Sequence, residues 1–157
     1  MDTTYKNINL KIPRSLRILI KYFDPEMPKI AKLDIGDWVD LRTSEERLLE
    51  AGKYTLIKLG IAMQLPTGYE AIIAPRSSTF KNWGILLSNS LGVIDESYCG
   101  NDDQWMFGAY PTRDVLIEKY SRICQFRIQK KQPTLNFEEV VTLSEKSRGG
   151  FGSTGIK

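Results

Sequence analysis

The sequence predicts an all-β fold, a jelly-roll-like barrel of short strands with one short helix and a flexible C-terminal arm. Three observations predict it. Long stretches with a 3.6-residue apolar period are scarce. Short runs rich in β-branched and aromatic residues recur, and Gly, Pro, Asn and Asp break them at close spacing. The 157 residues, 41% hydrophobic and 26% charged, suit one domain with its own core.

The elements follow in chain order. Ile18, Ile20 and Tyr22 carry a strand at 17–23, and Tyr54, Thr55 and Ile57 one at 54–59. A second helical turn is expected at 45–50 between them. Pro66-Thr67-Gly68 is a turn, and Tyr69, Ile72 and Ile73 open the strand at 69–74 after it. One helix is predicted from Ser77 or Ser78 to Trp83, capped by Ser or Thr at its start and closed by Gly84. Val93 and Ile94 mark a strand at 92–94, followed by a turn at Gly100-Asn101-Asp102. Trp105 and Phe107 mark 105–110, Ile123 and Phe126 mark 123–128, and Val140 and Val141 mark 137–143. There is no repeat and no low-complexity linker. Residues 1–145 read as the β domain and 146–157 as a glycine-rich arm.

Bulk properties exclude several functions. Twenty-two basic residues against nineteen acidic ones give a net charge of +3, too slight for a nucleic-acid groove or an anionic membrane surface. Arg14, Arg17 and Lys21 interrupt the apolar stretch at 16–23, which argues against a signal peptide. No run approaches the roughly 18 apolar residues of a membrane span. Cys99 and Cys124 are isolated, which suits reduced thiols in a cytoplasmic protein. The chain has no histidine. Ser-His-Asp, Cys-His and His-ligated zinc sites are therefore impossible. An enzymatic base would be a carboxylate, Tyr or Lys, and a metal would be a hard, oxygen-ligated one such as Mg²⁺.

Five segments carry chemistry. Arg148 precedes Gly149-Gly150-Phe151-Gly152-Ser153-Thr154-Gly155, a stretch with little backbone preference but with a ring, two hydroxyls and a guanidinium. It is either a frayed tail or an arm that closes on an anionic ligand. Ala74-Pro75-Arg76-Ser77-Ser78 joins a strand to the helix, where hydroxyls, N–H groups and Arg76 can bind an anion or Ser78 can simply cap. Residues 89–100 read as a β-hairpin that places Asp95 after Val93-Ile94, against a partly desolvated wall where it could act as a base. Tyr98 could press on a sugar. An Asx turn and a core tyrosine are the alternatives. In Gly36-Asp37-Trp38-Val39-Asp40-Leu41, Asp40 is the better candidate to partner an arginine or a metal site. In Arg122-Ile123-Cys124-Gln125-Phe126, alternation groups Arg122, Cys124 and Phe126 on one face and Ile123 with Gln125 on the other. Gln125 then calls for a polar partner such as phosphate or water.

These segments, in this order, resemble the five motifs of the trimeric all-β dUTPase family, over roughly 36–155. The resemblance implies hydrolysis of dUTP to dUMP and pyrophosphate. It implies that Asp95 orients and deprotonates the attacking water and that Tyr98 stacks on deoxyribose and excludes a ribose hydroxyl. Asn89 and the backbone around Gly92, Val93 and Ile94 would read uracil. Arg76, Ser77, Ser78 and Gln125 would hold phosphates, with Asp40 and Arg122 in support. Mg²⁺ would be held by the triphosphate and waters, with no direct protein ligand. The enzyme would be a homotrimer with shared active sites. Phe151 of the arm would stack on uracil, while Arg148, Gly152, Ser153 and Thr154 would close on the terminal phosphate. Two departures from the family pattern stand out. Tyr120-Ser121 replaces a usual Gly-acidic pair before Arg122. Arg148 stands three residues before Phe151 rather than five, a displacement of up to about 7 Å if extended, so Lys146 is a second candidate for its role. Two other readings are a dUTPase-like nucleotide-sensing trimer that docks on a regulatory protein through 101–110, and a dCTP deaminase. The Asp-Pro-Gly-Trp turn of that last family is missing here.

Overall fold

The computed structural model describes residues 15–31, 36–143 and 145–147. Among these are eleven short strands and one helix: β1 (Leu19–Tyr22), β2 (Val39–Arg42), β3 (Arg47–Leu49), β4 (Thr55–Lys58), β5 (Ile61–Gln64), β6 (Tyr69–Pro75), α1 (Thr79–Trp83), β7 (Ile85–Leu87), β8 (Gly92–Ile94), β9 (Met106–Pro111), β10 (Val115–Ile117) and β11 (Arg122–Lys130). The all-β prediction with a single short helix is borne out. The strands form four antiparallel sheets, ordered β2-β11-β6-β8, β4-β9-β7, β1-β5 and β3-β10. Their pairing does not run on into one closed barrel among the described residues. No described strand pairs with its neighbour in sequence, so residues 89–100 are not a hairpin. β8 leaves its own loop and pairs with β6, with Ile94 opposite Ala71 and Gly92 opposite Ile73.

Between the sheets lies an apolar core in which Ile57, Ile73, Ile85, Trp105, Phe107 and Ile123 are almost fully buried. Trp105 stacks edge-on against Phe126, with centroids 5.4 Å apart. Trp105 and Phe107 point inward, so residues 101–110 are a turn followed by a core strand, with Asn101, Asp102 and Tyr110 left exposed.

Three further expectations are corrected. The helical turn at 45–50 is strand β3, which pairs with β10 and buries Leu49. A three-residue segment has too few turns to hold a helix, so tertiary pairing decides its state. No strand forms at 137–143, where Phe137 is 88% exposed and Val141 fully so. Apolar β-formers alone do not make a strand when no described strand lies beside them. The alternation in 122–126 is broken by a β-bulge: Arg122 pairs with Arg42 and Cys124 with Leu41, leaving Ile123 as the extra residue. Ile123 and Cys124 are both buried as a result, and Arg122 turns outward.

Candidate active site

The bulge organises the first cluster. Gln125 lies opposite Asp40 on β2 and Ala74 on β6, so the three strands bring their ends together there. Asp40 accepts from Arg76 Nε at 2.7 Å with one carboxylate oxygen and from Arg122 Nη1 at 3.1 Å with the other. Arg76 Nη1 also donates to the Arg122 carbonyl at 3.3 Å. One carboxylate thus aligns two guanidiniums, a charge-assisted arrangement with defined geometry. Asp40 and Arg122, expected from the resemblance to support the site, both contact Arg76. Gln125 Nε2 donates to the Pro75 carbonyl at 3.2 Å, which supplies the polar partner its position demanded.

Helix α1 starts beside Arg76 with Ser78 at its N-cap, but Ser78 makes no side-chain capping bond. The organising hydroxyl belongs to Thr79, which is fully buried. Its Oγ1 accepts from the Arg76 N–H at 2.9 Å and donates to the Ile123 carbonyl at 2.7 Å. The sequence reading missed this role; a Thr three residues after Arg76 was the available signal. A five-residue helix carries little dipole. Any anion affinity here therefore rests on Arg76, Arg122 and the hydroxyls of Ser77 and Ser78. Gly84 closes the helix in the left-handed region at φ 68°, as expected from sequence.

Tyr120 also has φ 67°. The chain turns left-handed here, where the resembled family usually has a Gly, at a cost for a residue with a Cβ. Its surroundings hold it: Tyr120 N–H donates to the Thr43 carbonyl at 3.0 Å, Arg42 Nη1 donates to its carbonyl at 2.9 Å, and its hydroxyl donates to Asp24 at 2.7 Å. Lys119 Nζ meets the same Asp24 oxygen at 2.8 Å. The Lys119 ammonium, and then the Tyr120 hydroxyl, hold the Asp24 carboxyl down at about 2. Asp24 in turn raises Lys119 to about 12.

The second cluster follows β8. Asp95 is exposed, not set against a desolvated wall. Its Oδ1 accepts from the Ser97 N–H at 2.9 Å and from the Ser97 hydroxyl, the Asx-turn alternative. These bonds hold its carboxyl below the usual carboxylate range. Tyr98 is exposed rather than a core residue, and its hydroxyl donates to the Gln104 carbonyl at 3.2 Å. Asn89 and Gly92 line a cleft with Ile73, Met106 and Gly108. A Cβ on Gly92 would sit 3.0 Å from that of Ile73, so β8 can approach β6 this closely because the residue is glycine. Val93 is exposed and Ile94 half-buried. Glu96 accepts from the Gly68 N–H and pairs with Lys131, a second feature sequence reading did not single out.

The two clusters stand at opposite ends of the central sheet. Asp95 follows Ile94, which lies opposite Ala71, while Arg76 lies five residues further along the chain from Ala71. At the rise of an antiparallel strand that is ~17 Å. Of the remaining candidates, Arg148, Phe151, Gly152, Ser153 and Thr154 lie outside the described residues. Cys124 is wholly buried, which pushes its thiol far up; Cys99 is exposed. No described helix is long and apolar enough to cross a membrane.

A family model described as dUTPase matches residues 37–155. A curated relative, the SPbeta prophage-derived deoxyuridine 5'-triphosphate nucleotidohydrolase of Bacillus subtilis, is 51% identical over 142 residues, covering 90% of this chain and all of that one. The fold is similar to that of a Staphylococcus bacteriophage 80alpha dUTPase with dUPNHPP, at a TM-score of 0.72 and 20% identity over 90% of this chain and all of the other. It is also similar to a mutant dUTPase of phage phi11 of S. aureus that coordinates a structural Mg(II) ion, at a TM-score of 0.69 and 14% identity over 82% of this chain and 99% of the other.

Proposed function

This chain belongs to the dUTPase family, and we propose the roles its residues take in hydrolysing dUTP to dUMP and pyrophosphate. The nucleotidohydrolase activity comes with the family; the residue roles are inferred from the site. Asp95 aligns the water and accepts its proton as the water oxygen bonds to the α-phosphorus and the pyrophosphate oxygen departs. Its lowered pKa makes it a weak base, which suits a reaction that needs alignment more than basicity. Tyr98 supports the deoxyribose, and Asn89 with the Gly92–Ile94 backbone receives the uracil. Arg76, Ser77, Ser78 and Gln125 hold phosphates, with Asp40 and Arg122 fixing Arg76.

Mg²⁺ enters with the triphosphate in this reading. Among the described residues no three His, Cys, Asp or Glu side chains gather as a metal site, and both oxygens of Asp40 are taken by arginines. Such a donor set fits an ion held by phosphate oxygens and water, where its chemistry is charge neutralisation.

The carrying observation is the separation of the two clusters. Asp95 lies one residue beyond Ile94, so about six strand positions, roughly 20 Å of backbone, separate it from Arg76 of the same chain, which disfavours one triphosphate meeting both. In a homotrimer the Asp95 loop of one subunit meets the Arg76 end of another. The exposed apolar side chains of 137–143, Phe137 and Val141 among them, suit packing on a neighbour. Residues 146–157 act as the closing arm, with Arg148 or Lys146 at the terminal phosphate. The unpaired cysteines suit a cytoplasmic enzyme. A regulatory-protein partner at 101–110 would have to use Asn101, Asp102 and Tyr110, since Trp105 and Phe107 are buried.

Mixing two inactive variants tests the shared site. Asp95→Asn and Arg76→Ala are dissociated, combined and reassembled, with mixed trimers verified by mass. Recovered pyrophosphate release supports sharing, because some sites receive both intact residues. Verified mixed trimers without activity refute it. A truncation after Lys146, paired with Asp95→Asn, asks the same of the arm.

A further inference from the structure

Asp95 sits on the rim of the fold. β8 has three residues and pairs with β6 alone, so the ladder gives the loop beyond it limited support. The bonds that Asp95 makes to Ser97, and that Tyr98 makes to Gln104, stay inside the loop. They shape the loop, whose far side is tied by Lys21 Nζ donating to the Asn101 carbonyl at 2.6 Å, but they do not anchor the Asp95 end.

Glu96 reaches out of it. One carboxylate oxygen accepts from the Gly68 N–H in the turn between β5 and β6. The other accepts from Lys131 Nζ, one residue past the end of β11. The Lys131 N–H donates to the Gly68 carbonyl at 3.0 Å. Gly68 has φ 86°, so the turn presents its N–H and carbonyl to both partners through a backbone form that favours glycine. One side chain therefore joins three segments, and it belongs to the residue next to Asp95. The Glu96 and Lys131 side chains are 27% and 46% exposed, too open for the pair to matter much to stability. Its worth lies in geometry.

We propose that Glu96 and Lys131 are a positioning pair that sets the place of Asp95, so that turnover depends on their contact. The pair acts through Asp95 and not on the substrate. This rests on Asp95 being the base. A misplacement of the base by about 1 Å costs up to ~10²-fold in rate, and Glu96 is one peptide unit away.

Steady-state pyrophosphate release, with melting curves, tests it on Lys131→Met, Lys131→Arg, Glu96→Gln and Asp95→Asn. Lys131→Met should lower kcat ~10-fold with KM within ~3-fold, a split expected when alignment rather than binding is lost. Glu96→Gln keeps an acceptor for Gly68 but turns an amide on Lys131, and should behave alike. The double variant should be no slower than the slower single, because both break one contact. Lys131→Arg should restore most of kcat. Wild-type kcat in Lys131→Met beside an inactive Asp95→Asn overturns the pair and leaves the base in place. A kcat loss accompanied by a matching drop in melting temperature, without rescue by Lys131→Arg, also overturns it. Near-normal turnover in Asp95→Asn removes the base assignment and the proposal together.

Discussion

Thr79→Val removes one hydroxyl and leaves the side chain's shape intact, at a fully buried position. Two backbone groups lose their partner: the Arg76 N–H, 2.9 Å away, and the Ile123 carbonyl, 2.7 Å away. A buried polar group left unpaired costs about 1–3 kcal/mol. Ile123 is fully buried and falls at the upper end; Arg76 is only part-buried and falls at the lower, for a total of about 3–4 kcal/mol. For a domain of this size each kcal/mol lowers Tm by roughly 2–4 °C, so the loss is roughly 6–16 °C. Thr79→Ser keeps both bonds and gives up one methyl, about 1 kcal/mol. Function should follow in the proposed reading, because the two orphaned groups flank the cluster of Arg76, Asp40 and Arg122. One is the backbone of Arg76 and the other is the bulge that turns Arg122 outward. KM for dUTP should rise ~10-fold in the valine variant, the equivalent of about 1.4 kcal/mol. Circular-dichroism melts and initial rates of pyrophosphate release read both effects. A valine variant that melts within a few degrees of the wild type, or a serine variant worse than valine, refutes the reasoning.

Asp40→Asn should raise KM for dUTP and lower stability by about 1–3 kcal/mol, since it uncharges the acceptor of two guanidiniums, one of them half-exposed; rates and melts check both. Asp24 binds its proton more weakly in the folded protein, at about 2 against an ordinary 3.8. Its stabilising effect is complete above pH ~4 and fades as pH falls toward 2, so Asp24→Asn should flatten the acid limb of a melting-temperature profile. Lys119, raised to about 12 from 10.5, has the opposite slope, with an effect that is present below its ordinary value and lost as pH climbs through 12. Tyr120→Ala should be less stable than Tyr120→Gly by about 1 kcal/mol, because both lose the hydroxyl to Asp24 and glycine alone is at ease at φ 67°; denaturant melts give the order.

The strands legible in the sequence were those whose β-branched run stands out between Gly, Pro, Asn or Asp breakers, the three residues of β8 among them. β6 and β11 were read because seven and nine residues show both β-branched content and firm ends. β3, β7 and β10 have three residues each, which is too short for any periodicity to register. Their state is fixed by a partner far along the chain, as Leu49 on β3 is fixed by Val115 on β10. The helix was legible from Gly84, whose left-handed closure depends on local chemistry alone. The bulge at Ile123 was not, since nothing in Arg-Ile-Cys-Gln-Phe records that Ile123 goes unpaired on β2.

The site was legible as residue types and not as a place. Asp40, Arg76, Arg122 and Gln125 were named from separate segments, and the register of β2, β11 and β6 is what gathers them. The same register sends Asp95 the other way. β8 runs antiparallel to β6, so each step from Gly92 toward Asp95 retreats from Pro75 and approaches Tyr69. Chain order places Asp95 only 19 residues after Arg76 (95 minus 76), yet the sheet puts them at opposite ends. This pairing separates the two segments along β6 by about six residues, roughly 20 Å of strand. The proposed sharing of the site among subunits would bring Asp95 of one chain to the Arg76 end of another, which is the arrangement that mixed trimers of Asp95→Asn and Arg76→Ala test.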